Sequence, residues 1–178
     1  MMQTSTLIWL FPISFMFHDL EEIALWEPWM RRNSDALRRR LPRAFASLVE
    51  SIAGKSAAEL SVSIALIFLV TVIATVLAAH EQYWLFLATT GMYFVHGFGH
   101  LAQAAILKRY VPGVITSALI VIPYGAILYW QLVDAGIVDL QGLVLYFLLG
   151  AALMVPFILF MHRIGGYIHH RMVELLIR

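Results

Sequence analysis

The chain has 178 residues, of which 61% are hydrophobic and only 13% are charged. A soluble globular domain is about 45–50% apolar and about 25% charged, so this excess of apolar side chains needs lipid to face. The net charge of +1 gives no indication of a nucleic-acid partner. Without cysteine, the chain has neither disulfides nor thiolate metal sites.

Five segments are long enough to cross the hydrocarbon core of a bilayer, which takes about 20 helical residues. In chain order they are residues 5–26, 57–79, 83–107, 114–133 and 140–161. The first ends in a group of polar residues, and the third contains two histidines. The sequence predicts an all-α integral membrane bundle of about five transmembrane helices, which forms one domain over residues 1–178 in the cell membrane.

The basic residues predict the orientation of the bundle. All 12 of them lie after the first, third and fifth segments, and the other two connections carry only acidic charges. Cytoplasmic loops are enriched in lysine and arginine. The sequence therefore predicts an N-terminus outside, a cytoplasmic C-terminus, and a cytoplasmic tail over residues 163–178.

The longest connection, residues 29–55, carries seven basic residues and is predicted to be cytoplasmic. Its apolar residues recur at helical spacing over residues 34–52. This pattern favours an amphipathic helix on the anionic inner leaflet. The alternative is a solvated basic loop that only fixes the topology.

Ionisable groups inside a membrane are costly and usually mark function. In the first segment, His18, Glu21 and Glu22 stand at i, i+3 and i+4 and share one helix face. Asp19 points about 100° away from His18, which makes it a weaker candidate for the same site.

The third segment carries a second polar pair, His96 and His100, at i and i+4. The first and third segments are predicted to run in the same direction across the membrane. The depth of a residue in each can therefore be counted from the first basic residue that follows the segment. His18 lies 13 residues before Arg31 and His96 lies 12 before Lys108, while Glu22 and His100 lie 9 and 8 residues before them. We therefore expect His18 to face His96, and Glu22 to face His100.

Two histidines and two carboxylates that converge from two helices suit a divalent metal, since imidazole and carboxylate bind zinc, iron or manganese. The predicted ligands are His18, Glu22 and His100, with His96 as a fourth, and zinc is the favoured ion. Glu21 is predicted to be the general base. Tyr110, in the turn after the third segment, is predicted to orient the substrate.

Several alternatives fit the same residues. The histidine and glutamate pairs are also suited to a hydrogen-bonded network that only joins helices. Two buried histidines can be axial ligands of haem, although adjacent glutamates fit a haem slot poorly. A metal or proton transporter would need a polar path to both faces, and the outer halves of the first and third segments offer little polar lining.

The motifs resemble those of the HXXEE-domain family of small multi-span membrane proteins. Residues 18–22 read His-Asp-Leu-Glu-Glu, a later histidine follows, and residues 110–113 read Tyr-Val-Pro-Gly. The resemblance extends over about residues 7–160 and implies no particular reaction. It implies that the signature positions are His18, Glu21, Glu22, His100, Tyr110, Pro112 and Gly113, and His96 is not among them.

The sequence thus predicts a membrane-embedded metal-dependent enzyme that hydrolyses or hydrates a lipid-like substrate in the cytoplasmic half of the bilayer. A non-haem iron oxygenase or desaturase, a transporter and a structural membrane subunit are the alternatives. The expected partners are the lipid bilayer and a hydrophobic small molecule, with no nucleic acid. A homo-oligomer is compatible with the sequence.

Single cysteine substitutions can report the predicted orientation without background labelling, because the chain has no cysteine of its own. We expect Arg38→Cys to react with a membrane-impermeant maleimide only from the cytoplasmic side, where the positive-inside rule places it. Asp134→Cys is the matched control and is expected to react only from outside. Labelling of residue 38 from outside would contradict the orientation.

Overall fold

The computed structural model describes residues 3–40 and 53–177. These residues form five long helices, so the predicted all-α fold is confirmed. The helices are α1 (Thr4–Arg40), α2 (Ala57–Ala79), α3 (Trp84–Leu107), α4 (Val114–Asp134) and α5 (Leu140–Leu176).

Three of these helices, α2, α4 and α5, are long and apolar enough to cross a membrane, which indicates a membrane protein. Helices α1 and α3 are less apolar over their described residues and are not among these three. They carry the histidines and glutamates that were predicted to form a site, and these residues contribute to their lower hydropathy.

Helix α1 continues well beyond residue 26, through Pro28 to Arg40. The extension has its own apolar contacts. Met30 and Leu37 are buried in one cluster with Leu107, at the end of α3, and Val111, in the turn that follows. The first part of the predicted amphipathic segment, residues 34–40, thus belongs to α1. Residues 41–52 lie outside the described residues. Helix α5 likewise continues past residue 161, to Leu176.

Helix α3 lies at the centre of the bundle and contacts each of the other four helices. Helix α1 packs along α2, and α5 packs against both α2 and α3. Aromatic side chains fill the space between α1 and α3, where the Phe11 ring meets Phe86 and Tyr93 edge to face. This packing holds α1 and α3 side by side and fixes the relative positions of their polar residues.

Small residues let the helices approach closely. A Cβ atom on Gly150 of α5 would lie only 2.8 Å from backbone atoms of Gly91 and Met92 in α3. A Cβ on Gly97 would lie 2.7 Å from the Val121 side chain of α4. Gly99, whose sequence position suggests the same role, has open space around it.

The close contact of α3 with α5 predicts a difference between two glycine substitutions. Gly150→Ala is expected to destabilise the protein by about 1–3 kcal/mol, because the added methyl group meets backbone atoms that have no room to move. Gly99→Ala is the matched control and is expected to leave stability unchanged or higher, since alanine favours a helix. Thermal unfolding in detergent measures both, and equal melting temperatures would contradict the packing.

Candidate metal centre

Four side chains from two helices converge at one point. We call them the His/Glu cluster: His18 and Glu22 from α1, and His96 and His100 from α3. One ligand atom from each lies within 4.8 Å of the others. The α-helical repeat explains the convergence, because i and i+4 lie on one face of each helix and the two faces are turned toward each other.

Glu22 lies at the middle of the His/Glu cluster. Its Oε1 atom is 2.8 Å from His100 Nε2, 3.5 Å from His96 Nε2 and 4.0 Å from His18 Nε2. The rings of His18 and His96 are 5.3 Å apart. The structure thus brings together all four predicted ligands. Glu22 lies nearest His100, as expected from their depths, whereas the His18 ring is about equally close to His96 and to His100, at 5.3 and 5.1 Å.

One nitrogen atom of His100 makes two short polar contacts within the cluster. His100 Nε2 is 2.8 Å both from Glu22 Oε1 and from His96 Nε2. A single N–H group cannot point at both acceptors with good hydrogen-bond geometry. One of the two short contacts is therefore left without a well-placed hydrogen, and a metal cation would stabilise such a contact.

Glu21 points to the other flank of the α1 face, away from the His/Glu cluster. The Tyr110 hydroxyl donates a 2.5 Å hydrogen bond to Glu21 Oε1. The Thr116 hydroxyl and backbone N–H both donate to Glu21 Oε2, at 2.6 and 2.8 Å. Both carboxylate oxygens are therefore engaged, and Glu21 ties α1 to the start of α4.

The same threonine determines which nitrogen of His18 carries the proton. The Thr116 hydroxyl has one hydrogen, which it donates to Glu21. Thr116 Oγ1 also lies 2.9 Å from His18 Nδ1 and must therefore accept there, so that Nδ1 carries the hydrogen. The Nε2 lone pair of His18 is left free, and this buried atom has no hydrogen-bond partner in the described structure. Metal-ligating histidines are commonly oriented by a hydrogen bond from their other ring nitrogen.

Tyr110 is held in the turn between α3 and α4. Its carbonyl oxygen accepts a 2.7 Å hydrogen bond from the Trp29 indole of α1. Burial and the hydrogen bond to the Glu21 carboxylate raise the pKa of the Tyr110 hydroxyl above its ordinary value. The hydroxyl therefore stays protonated and acts as a donor.

The turn that follows Tyr110 closes one side of the His/Glu cluster. Gly113 adopts a left-handed conformation, with φ of 86°, and its backbone lies directly against the cluster. A Cβ at this position would lie 2.9 Å from His100, 3.0 Å from His18 and 3.1 Å from Glu22. Only glycine meets both requirements, the positive φ and the missing side chain.

A π-helical turn over Ser117–Val121 opens the main part of α4. Such turns often occur at functional sites. This one follows directly after Thr116, the residue that contacts both His18 and Glu21. It joins the short first turn of α4, which begins after Gly113, to the rest of the helix.

A cavity of about 100 Å³ reaches the His/Glu cluster from between α1, α2, α3 and α5. Glu22 and His96 line it, and these two side chains are 16% and 26% exposed. His18 and His100 are more deeply buried, at 1% and 7%. The cluster is thus accessible on its Glu22 and His96 side.

Three polar residues near the site were not predicted as part of it. Thr116 gave no signal in the sequence, because its role depends on how the turn after α3 folds back. Asp19 is buried and lines the cavity, although it points away from His18. His162, which sequence position places beyond the last membrane segment, lines the same cavity from α5.

The hydrogen bonds of Glu21 and Tyr110 bear on the roles predicted for them. Glu21 faces Thr116 and not the cavity, and Tyr110 is not among the described residues that line the cavity. These contacts favour positioning roles for both residues. Their predicted roles as general base and substrate contact stay predictions.

The fold and the site define a small helical membrane protein with three histidines and one glutamate gathered between two helices. A profile of the family described as "protein of unknown function with HXXEE motif" matches residues 9–129. The chain belongs to this family, which confirms the resemblance seen in its motifs. No curated protein and no solved structure matches the chain significantly.

The position of Gly113 predicts how the turn supports the site. Gly113→Ala is expected to weaken metal binding, because the methyl group would displace the rings of His18 and His100. Gly136→Ala is the matched control: Gly136 also has a positive φ, of 67°, but a Cβ there would meet nothing within 4 Å. Titration with a zinc-competing indicator measures both variants, and equal affinities would contradict the contact.

Proposed function

We propose that this protein is a membrane-embedded metal-dependent enzyme, and that the His/Glu cluster binds one divalent transition metal ion. The observation that carries the proposal is the convergence of His18, Glu22, His96 and His100 beside a mainly apolar cavity, which Glu22 and His96 line. Zinc is the favoured ion, and iron or manganese would suit the same ligands.

The distances within the cluster support this proposal. Zinc lies about 2.0–2.1 Å from histidine nitrogen or carboxylate oxygen, so that tetrahedral ligand atoms are about 3.3 Å apart. The three nitrogen–oxygen distances at Glu22 range from 2.8 to 4.0 Å around that value. Small side-chain adjustments would bring all four atoms to ligand distance.

The surrounding hydrogen bonds also suit a metal site. The path from Glu21 through the Thr116 hydroxyl fixes the His18 ring with its Nε2 lone pair toward the cluster. A carboxylate behind a ligating histidine also raises the basicity of that ligand. We assign Glu21, Thr116 and Tyr110 to this positioning role.

The cavity supports a lipid-like substrate. Its walls are mainly aliphatic and aromatic, and its ionisable lining residues are Asp19, Glu22, His96 and His162. A bound metal would supply Lewis acidity, which polarises a carbonyl or phosphoryl oxygen. The chain itself would bind the apolar part of the substrate, orient its polar end toward the cluster and exclude bulk water. Hydrolysis or hydration fits these contributions best.

We further propose that all five helices cross the cell membrane with the N-terminus outside. Helices α1 and α3 pack within the same bundle as the three more apolar helices. Part of their lower hydropathy comes from His18, Glu22, His96 and His100, which face each other inside the bundle. With this orientation, the His/Glu cluster lies in the cytoplasmic half of the membrane, and the substrate enters from the inner leaflet.

Transport is a weaker proposal, because it needs polar groups along a path to both faces. Several hydroxyls of the described bundle are already bound to their own helices: Thr75 donates to the Thr71 carbonyl and Thr90 to the Phe86 carbonyl. An iron oxygenase or desaturase would use the same ligands, and the identity of the metal distinguishes it from a zinc hydrolase.

The metal proposal predicts a stoichiometry. Purified protein is expected to carry about one transition metal ion per chain, since the four ligands form a single group. His100→Ala is expected to lose the ion, because His100 is central to the group and deeply buried. His170→Ala, on the exposed end of α5, is the control and is expected to keep it. Elemental analysis measures the content; a folded, metal-free wild type would favour the purely structural network.

Substitutions of the two adjacent glutamates, Glu21 and Glu22, are expected to affect metal binding differently. Glu22→Gln removes a ligand and is expected to abolish most metal binding. Glu21→Gln and Thr116→Val break only the hydrogen bonds that connect Glu21 through Thr116 to His18. Each is expected to weaken metal binding by about 10- to 100-fold. Chelator competition gives the affinities. Unchanged affinity in Glu21→Gln and Thr116→Val would contradict the positioning role and would favour Glu21 as a general base.

A further inference from the structure

A second pocket lies between the extension of α1 and the turn that follows α3, and it has a volume of about 540 Å³. Three cationic side chains line it: Arg32 from α1, and Lys108 and Arg109 from the end of α3. We call this space, with its three cations, the basic pocket. None of its described lining residues is acidic. A cleft lined by charges of one sign concentrates ions of the other sign, so the basic pocket is suited to an anion.

The three cations of the basic pocket have no acidic partner among the described residues. None of them is in an ion pair there, whereas the neighbouring Arg31 pairs with Glu27. Asp35, one turn further along α1, is exposed and makes no ion pair among the described side chains. Like charges that share one space repel each other. A bound anion would relieve this repulsion.

Hydrogen bonds between α1 and the turn fix the shape of the basic pocket. The Asn33 amide nitrogen donates to the Trp29 carbonyl at 2.8 Å, and the Trp29 indole donates to the Tyr110 carbonyl at 2.7 Å. The Arg109 guanidinium donates to the Asn33 amide oxygen at 2.7 Å. This partner is neutral, so Arg109 is held in place while its positive charge and its other N–H groups stay available to a ligand.

The backbone of Lys108 supports a functional role for its side chain. Lys108 ends α3 in a left-handed conformation, with φ of 52°. Glycine is the residue most favoured at helix ends with this conformation, because a Cβ atom is costly there. What lysine offers here and glycine lacks is the cation that lines the basic pocket.

The surroundings of the basic pocket favour a lipid as the source of the anion. Leu25, which is 40% exposed, and Trp29 line its apolar side. Tryptophan is enriched where a membrane helix meets the headgroups, and basic residues are enriched on the cytoplasmic side. Basic pockets between helices at that level bind anionic headgroups. A phosphate group attached to apolar chains would match both sides of the pocket at once.

We propose that the basic pocket binds the phosphate group of an anionic lipid, and that it prefers a phosphomonoester to a phosphodiester. A monoester carries about two negative charges and three acceptor oxygens, which match three cations better than the single charge of a diester. Arginine can hold two phosphate oxygens at once. Leu25 and Trp29 contact the adjoining part of the lipid. None of the four residues of the His/Glu cluster lines the basic pocket, so this binding does not depend on a metal ion.

The test uses dioctanoyl phosphatidic acid as the probe, with dioctanoyl phosphatidylglycerol as the phosphodiester of equal chain length. Isothermal titration of the purified protein in a neutral detergent measures the affinity for both. Phosphatidic acid is expected to bind the wild type more tightly, because its phosphate group carries more charge and more free oxygens. Equal affinities for the two lipids would contradict the preference for a monoester.

Two variants each remove one cation from the basic pocket. Arg32→Gln and Lys108→Gly are each expected to weaken the binding of phosphatidic acid by about 10- to 100-fold, as expected when a charged hydrogen bond is lost. Lys108→Gly is also expected to keep or raise the melting temperature, because glycine suits the left-handed helix end. A loss of binding in this variant therefore does not come from unfolding.

Arg39→Gln is the matched control. Arg39 is exposed on the same helix and does not line the basic pocket, so its substitution removes the same charge from the surface and is expected to leave binding normal. Equal losses in Arg32→Gln and Arg39→Gln would indicate diffuse attraction to surface charge and would overturn the proposal. Normal binding by both Arg32→Gln and Lys108→Gly would overturn it as well. Glycerol 3-phosphate that binds as tightly as phosphatidic acid would overturn the assignment to a lipid and would indicate a soluble phosphate compound.

Titrations with a chelator and with His100→Ala separate this proposal from the metal proposal. Binding of phosphatidic acid that needs Lys108 but persists without metal supports the basic pocket, even if the His/Glu cluster binds no metal. Binding that is lost with the metal but kept in Lys108→Gly would place the phosphate at the His/Glu cluster and would overturn the proposal.

Discussion

The contact between the Glu22 carboxylate and three imidazole rings is the interaction on which the rest of the site depends. These four side chains lie inside a bundle whose other buried residues are mostly apolar. Polar groups in such an interior must satisfy one another, because neither lipid nor the apolar core offers partners. The relative rotation of α1 and α3 is therefore restricted: turning either helix would separate Glu22 from the two histidines of α3.

The start of α4 completes the candidate site that α1 and α3 form. Gly113 brings backbone against the cluster where a side chain would not fit, and Thr116 follows at hydrogen-bond distance from both His18 and Glu21. The two motifs seen in the sequence thus meet in space. The His-x-x-Glu-Glu motif supplies His18, Glu21 and Glu22, and the Tyr-Val-Pro-Gly segment supplies the turn that packs against the cluster.

Much of this could be predicted from sequence. Hydropathy predicted five long helices, of which three are long and apolar enough to cross a membrane. The 3.6-residue repeat, together with the equal depth of the two pairs, predicted that His18 and Glu22 meet His96 and His100. The surroundings of Glu21 and Asp19 were harder to predict. The helical repeat fixes the angle between residues around the axis of α1, but it does not tell which neighbouring helix packs on each side. Glu21 faces Thr116 because α4 packs there, and Asp19 faces a cavity because α2 and α5 leave space there. The full length of α1 also depends on a tertiary contact, the burial of Met30 and Leu37.

The most direct test of the central claim is X-ray absorption spectroscopy of the purified protein at the edge of the metal that it carries. A metal held by the His/Glu cluster is expected to show imidazole scattering from about three histidines, with a first shell near 2.0–2.1 Å if the ion is zinc. Substituting His96 or His100 should remove imidazole scattering. A first shell of oxygen alone, or an absence of any bound metal in correctly folded protein, would contradict the account.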